Sequence, residues 1–444
     1  MDDFTRRYLL LQFMYNACVT SIVLVLQESG FLFNSRANAN ILHTIAANTS
    51  TTAALCGLIL QSKPEFEQNE ELLWHGAIAG FLTGSFRGRF RFDSHLPLVT
   101  DFDMENFSDR QFFTYTRVTK EKFQLLLEIV APHLPPSKHS PAARLAVFLY
   151  KFAHSTIDAV SGDLFGMPSG SVNLYFHQVC NVFHDHIRPL YLPREELVLA
   201  DVLDAWSAVP DAPPGLLGVI DGTECHFCRP GDDTNAHYNF KHNEYTVGTQ
   251  ALVKPDLTFW SISTGHTGTR NDAGKWNCSL LGRSFIHQQG DIYNAYAALP
   301  NINLPTGQRI RPWILGDGGY ACKEYMVIPY AGHIQDYSGF NKWLSSHRQI
   351  VERAFGVLKK RWSLICSGME YDFRAASKLI EIAVILHNFC MIEGVPVDVE
   401  GEQDDQQPAA EPPPNLLVGQ AAGDLRDNNS TRRALFGYWV AHVR

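Results

Sequence analysis

The sequence predicts an α+β protein, with an all-helical region preceding a domain that mixes strands and helices. Three observations carry this. Residues 106–200 show helical apolar spacing with capping residues between the periodic stretches. The apolar runs 216–220, 245–253, 257–262 and 313–315 have strand length and end in Gly, Asp or Pro. After them comes an amphipathic helix at 350–362, IVERAFGVLKKRW, with apolar residues on a broad face. At roughly 150 residues per domain, 444 residues suggest two or three domains. Hydrophobic content of 45% and charged content of 19% are those of a folded globular chain.

Residues 1–105 read as a helical N-terminal extension in which no chemistry is evident. Within it, 8–26 is apolar and preceded by Arg6 and Arg7. That pattern suits a signal anchor or a membrane helix, but Gln12, Asn16, Thr20 and Ser21 interrupt it and favour a buried helix. Arg87, Arg89 and Arg91 form a small basic patch read as a solvated loop. Next, Thr119 is placed to cap a helix over 122–134, and Ser140 with Pro141 to open another. Two shorter helices flank Gly166-Met167-Pro168, with Ser169 as the expected cap of the second. They form a helix-turn-helix-like pair that would turn Ser169, Ser171, Asn173 and His177 outward, either toward DNA or as part of an ordinary bundle. Lys254-Pro255-Asp256 joins two strands as a hairpin turn. Residues 394–430 are an acidic, Pro-rich linker expected to be disordered, and 431–444 read as a short terminal helix. No internal repeat is evident.

A net charge of −9 excludes a chain that is basic overall, so any nucleic-acid surface must be local. Nine scattered cysteines suit a reducing compartment. Cys225 and Cys228 form a CxxC, yet no second ligand pair completes a zinc site. Strand alternation sends Cys225 and Phe227 to one face, which favours core packing.

Acidic residues carry the chemistry. Asp221 and Asp317 each follow a strand-like run and each precede a glycine, a placement that points a carboxylate into a cleft. Glu352 is the one acid among Arg348, Arg353, Lys359, Lys360 and Arg361. Clustered carboxylates repel one another unless cations intervene, and hard divalent ions suit oxygen ligands. Two such ions clamp a scissile phosphate between an attacking water and a leaving oxygen. The bases around Glu352, together with Lys241, then serve phosphate contacts. Taken singly, each acid also reads as a turn residue or an ion-pair partner. His387 and Asn388 close an apolar helix and read as buried hydrogen-bonding groups.

The ordered strings VIDGTECHF, YNFKHNEYTVGTQALV, GHTGTRNDAG, LGDGGYACKEYMVIPY, FNKWLSSHRQIVERAFGVLKKRW and IAVILHNFC resemble the PIF/Harbinger transposase superfamily over about 106–393. The resemblance implies an RNase H-like fold and a DDE triad that holds Mg²⁺, with Mn²⁺ as the alternative. Matched motif by motif, the triad is Asp221, Asp317 and Glu352, the last two 35 residues apart. It further implies DNA cleavage by metal-activated water, with strand transfer in transposases. A nuclear location and a Myb/SANT-like partner that supplies DNA binding also follow from it. Two positions depart from the pattern: Arg270-Asn271-Asp272-Ala273 stands where His-Asp-Ser is common, and Gly318 where serine is. Asp272 persists as an auxiliary acid and metal ligand. The rival expectation is a domesticated, non-catalytic nuclear protein that binds DNA or a partner.

Overall fold

A computed structural model describes residues 104–228, 234–331, 337–397 and 429–443. All fall within one compact unit, 95–444. The expectations for residues 1–103, including the apolar segment and the three arginines, lie outside the described residues, as do those for 398–428.

Six helices of at least eight residues open the described chain: α1 Asp109–Thr116, α2 Lys120–Val130, α3 Pro141–His154, α4 Asp158–Phe165, α5 Ser169–Val182 and α6 Glu195–Ser207. Their starts follow side-chain chemistry. Thr119 Oγ1 accepts from the Lys122 N–H at 3.3 Å, and Ser140 Oγ from the Ala143 N–H at 3.2 Å. The expected cap at Ser169 is not formed. Pro168 is the cap and has no side-chain bond, and its carbonyl accepts from Ser171 and Val172 instead. Gly166 ends α4 at φ 64°, and a Cβ at Gly162 would meet the Met167 carbonyl oxygen at 2.3 Å, so small residues set the tight α4–α5 turn. Ser169, Asn173 and His177 do face solvent. However, 157–182 carries Asp158 and Asp163 and no lysine or arginine, so this face has no phosphate-binding charge of its own.

The domain that follows is built on a mixed sheet: β1 Leu216–His226, β2 Tyr238–Asn239, β3 Glu244–Val253, β4 Phe259–Thr267, β7 Trp313–Leu315 and β8 Met326–Val327. β5 Ile302–Asn303 and β6 Arg309–Ile310 form a separate small hairpin. The order is β2-β3-β1-β7-β8, with β4 also on β3. β1, β3 and β4 are antiparallel, whereas β1, β7 and β8 are parallel, which is an RNase H-like arrangement. Helices flank it: α7 Asp272–Cys278, α8 Leu280–His287, α9 Gly290–Ala298, α10 Ser338–Arg361, α11 Phe373–Ile392 and α12 Ser430–His442. β1 does not stop at Asp221 as the sequence suggested. Its antiparallel pairing with β3 continues from Asp221↔Ala251 to His226↔Thr246.

α11 is apolar and long enough to cross a membrane by composition, but 67% of that stretch is buried here against the sheet. Near its end Asn388 acts as a clamp. Its Nδ2 donates to the carbonyls of Tyr191 and Phe259, both at 2.7 Å, and its Oδ1 accepts from the Phe259 N–H at 2.9 Å. His387 Nε2 lies 2.9 Å from the Leu257 carbonyl, and burial lowers its pKa to about 4. His387 therefore bonds to the turn before β4, and Asn388 ties β4 to Tyr191, in a core shared by the helical region and the sheet. α12 packs on the start of α10. A Cβ at Gly339 would lie 2.6 Å from the Trp439 ring, and the Arg432 guanidinium sits 4.1 Å over the Tyr330 ring.

Asn388→Ala leaves buried groups of Tyr191 and Phe259 unpaired and is expected to cost about 2–4 kcal/mol. Urea unfolding of the two proteins measures it, and a difference under about 0.5 kcal/mol would rule out the clamp.

Candidate active site

The site begins with a register. β1 and β7 pair as Leu216↔Trp313, then Gly218↔Ile314 and Val219↔Leu315, so β1 holds one extra residue at a bulge. Gly218 permits it, with φ 152° and with Trp260 Nε1 where a Cβ would sit, at 2.7 Å. Beyond the bulge the strands are in phase. Asp221 and Asp317 each lie two residues past the Val219↔Leu315 pair, Asp317 just beyond the end of β7, and both come next to Asp272. Without the extra residue Asp317 would fall opposite Ile220, and the two carboxylates would point to opposite faces.

Asp272, at the start of α7, enters from the side. A Cβ on Gly222 would lie 2.6 Å from Asp272 Oδ1, and one on Gly319 would lie 3.1 Å from Asp317 Oδ1 and 3.3 Å from Asp272 Oδ2. The glycines after each aspartate thus leave room for the third carboxylate. Gln250 on β3 fixes the assembly, donating to the Asp272 carbonyl at 3.2 Å and to the Tyr320 hydroxyl at 2.7 Å. Tyr320 is buried beneath the acids. Burial, then Asp272, Asp221 and Asp317, hold its phenol well above the usual range.

Asp221 feels the other two aspartates. Burial raises the Asp221 pKa to about 6, with Asp317 and Asp272 pushing the same way, against Arg348 and the Gly222 N–H. Arg348 Nη2 lies 3.6 Å from Asp221 Oδ2 and 3.5 Å from Glu352 Oε1, so one guanidinium spans the two carboxylates. Its Nε is buried with no partner. Glu352 itself is exposed, with 59% of its side chain open to solvent, and meets Asp221 only through the shared Arg348 Nη2.

Two residues that the sequence reading passed over complete the site. Lys275, one turn after Asp272, is buried, with Nζ 2.7 Å from Glu224 Oε1 and 3.3 Å from Asp272 Oδ1. Burial pulls this ammonium down, and Glu224 and Asp272 more than offset the pull, leaving its pKa raised. Glu224 also accepts from the Thr246 hydroxyl at 2.7 Å. Gly248 makes way for the Lys275 stem, since a Cβ there would lie 2.9 Å from Cε. The available signal was the i,i+3 spacing of Asp272 and Lys275, which marks one helix face.

The remaining bases separate into two kinds. Arg353 and Lys360 are exposed on α10, and Lys241 is exposed on the β2–β3 turn. Lys359 is half-buried, with Nζ donating to the Glu224 carbonyl at 3.2 Å. Arg361 is a correction to the expected phosphate contacts. It is buried, and Nη2 donates to the carbonyls of Val395 and Pro396 at 3.1 and 3.0 Å, closing the end of α10 inside the fold. Cys225 is buried and Cys228 exposed, in keeping with the core reading of that CxxC.

Among the described residues no three His, Cys, Asp or Glu side chains stand together as a finished ligand set. The donors nevertheless suit a hard divalent ion. Asp221 and Asp317 would offer carboxylate oxygens side by side, and burial, reinforced by Asp317 and Asp272, raises the Asp221 pKa to about 6 despite Arg348. Mg²⁺ commonly takes only one or two protein carboxylates, with water and substrate oxygens filling its shell.

In the metal-free protein, ionising Asp221 opposes folding, so stability falls as pH rises from the ordinary carboxylate range through about 6. At roughly 1.4 kcal/mol for each tenfold change in proton affinity, Asp221→Asn should gain about 1–3 kcal/mol over the wild type at pH 7.5 in EDTA, and little at pH 4. A difference independent of pH in urea titrations would refute it. Lys275→Met leaves Glu224 and Asp272 uncompensated, and a loss of about 3–5 kcal/mol is expected in the same assay.

Comparison with known proteins is in keeping with the RNase H-like fold. Residues 220–388 match the family described as DDE superfamily endonuclease. Over 278 residues the chain is 24% identical to "Protein ALP1-like" of Arabidopsis thaliana. That alignment covers 60% of this chain and 63% of the relative, so the chain spans less than two thirds of the relative's length. No solved structure matches the chain.

Proposed function

From the DDE superfamily endonuclease domain at residues 220–388, in a chain of the PIF/Harbinger transposase superfamily, we propose a divalent-metal-dependent DNA endonuclease of transposase type. The observation that carries this is the bulge-phased pair Asp221 and Asp317, with Asp272 wedged between their glycines. Bound at Asp221 and Asp317, Mg²⁺ or Mn²⁺ would supply charge stabilisation at the scissile phosphate and acidify the attacking water. Glu352 is the third acid of the triad, reached from α10 when Arg348 releases it. Arg348 then faces a phosphate with a guanidinium freed from two carboxylates. Lys275 holds Asp272 in place through Oδ1 and leaves Oδ2 toward Asp317. Arg353, Lys360 and Lys241 supply the outer phosphate contacts.

DNA selection falls elsewhere. The α4–α5 face is acidic and apolar, which supports the reading that a separate Myb/SANT-like protein brings the enzyme to its site. A genomic DNA substrate makes the nucleus the working compartment.

One observation favours a second reading. Arg348 already neutralises Asp221 and Glu352, as a bound cation would. A domesticated protein that binds DNA or a nuclear partner without cutting would keep such a pair closed. Labelled duplex DNA incubated with the full chain in Mg²⁺, Mn²⁺ or EDTA distinguishes them. Metal-dependent nicking that Asp221→Ala and Asp317→Asn each reduce at least 100-fold is expected. Cleavage surviving Asp317→Asn would end the triad assignment, and DNA binding without cleavage in either metal would favour the second reading.

A further inference from the structure

The turn between β2 and β3 presents, beside Lys241, an exposed aromatic that the cleavage site does not use. Phe240 is 75% exposed, the highest value among the described exposed large hydrophobic side chains. Its ring stands edge-on to Tyr238 at 5.1 Å, and Tyr238 stands edge-on to Tyr245 at 5.3 Å, so three aromatics run in a row from the tip to the sheet. Lys241 and His242 beside Phe240 are exposed.

The tip is also fixed in shape. Asn239 Oδ1 accepts from the Lys241 N–H at 3.0 Å, its carbonyl accepts from the His242 N–H at 3.2 Å, and Asn243 closes the turn at φ 57°. β2 pairs with β3 through Tyr238↔Tyr245 and Asn239↔Glu244. A single exposed phenylalanine is unremarkable on a protein surface. An aromatic backed by two tyrosines, flanked by a cationic and a polar side chain, on a bonded turn of the catalytic sheet is a stacking platform.

Its position matters as well. β3 runs from Glu244 to Ala251, the residue paired with Asp221. At about 3.3 Å per residue that span is roughly 23 Å, close to the length of seven stacked base pairs.

We propose that residues 240–243 are a base-stacking finger. Phe240 stacks on an unpaired or splayed base some six to eight nucleotides from the scissile phosphate, and Lys241 holds a neighbouring phosphate. The inference rests on DNA being the substrate and extends it to distorted or single-stranded DNA at a set distance from the cut.

The test uses the full chain in EDTA, so that binding is read without cleavage. The probes are a labelled 20-nucleotide oligo(dT) and a duplex with a short unpaired bubble. Phe240→Ala is expected to weaken binding to both about 10-fold or more, and Phe240→Trp to restore it. Lys241→Gln should reduce the salt dependence of binding by about one counterion. Equal affinity of the wild type and Phe240→Ala for both probes, with the wild type binding and cutting DNA, would overturn the finger alone. A wild type that binds neither probe nor duplex would overturn the finger and the endonuclease reading together. Circular dichroism of Phe240→Ala guards against misfolding, which a surface turn residue should not cause.

Discussion

The pairing of β1 with β7 is the constraint on which the rest of the site depends. A parallel pair gives its residues a common face only when the register is in phase, and here one extra residue near Gly218 sets that phase. Everything downstream is arranged around the outcome. Gly222 and Gly319 stay small so that Asp272 reaches between the two strands. Gln250 on the opposite strand holds the backbone of α7 and the Tyr320 hydroxyl in one grip. β3 continues alongside β1 past Asp221, which stiffens the side of the cleft that β7 leaves open.

Gathering acids in a half-buried cleft is unfavourable, and the fold answers with two cations of different character. Lys275 is buried, doubly paired and structural, and its ammonium stays charged because two carboxylates outweigh its desolvation. Arg348 is half-buried, spans two acids at long range and retains an unpartnered Nε. The first pair resists change and the second invites it. Carboxylates raised toward neutrality are common where a protein forgoes stability for a ligand.

Much of this was legible in the sequence where the physics is local. Thr119 and Ser140 cap helices because a hydroxyl beside an amide needs no distant partner. The Lys254-Pro255-Asp256 turn, the run 313–315 and the basic helix around Glu352 are also short-range features. Three things were not legible, each for a long-range reason. The length of β1 depends on β3, which continues to pair with it past Asp221. The fate of Arg361 depends on Val395 and Pro396, 34 and 35 residues away. Lys275 gains its meaning from Glu224, 51 residues earlier, across the sheet. Ser169 shows the converse error, in which a good capping residue follows a proline that already occupies the cap.

The contact between α12 and α10 has a consequence for how a gene of this kind would decay. Trp439 lies against Gly339, at the head of the same helix that carries Arg348 and Glu352. Residues well beyond the acidic motifs therefore specify part of the support beneath Glu352. A late stop codon that spares every acidic residue would still unsettle the helix that presents one of them. Intact acidic motifs in a related but shortened gene are accordingly weak testimony about the activity of the encoded protein.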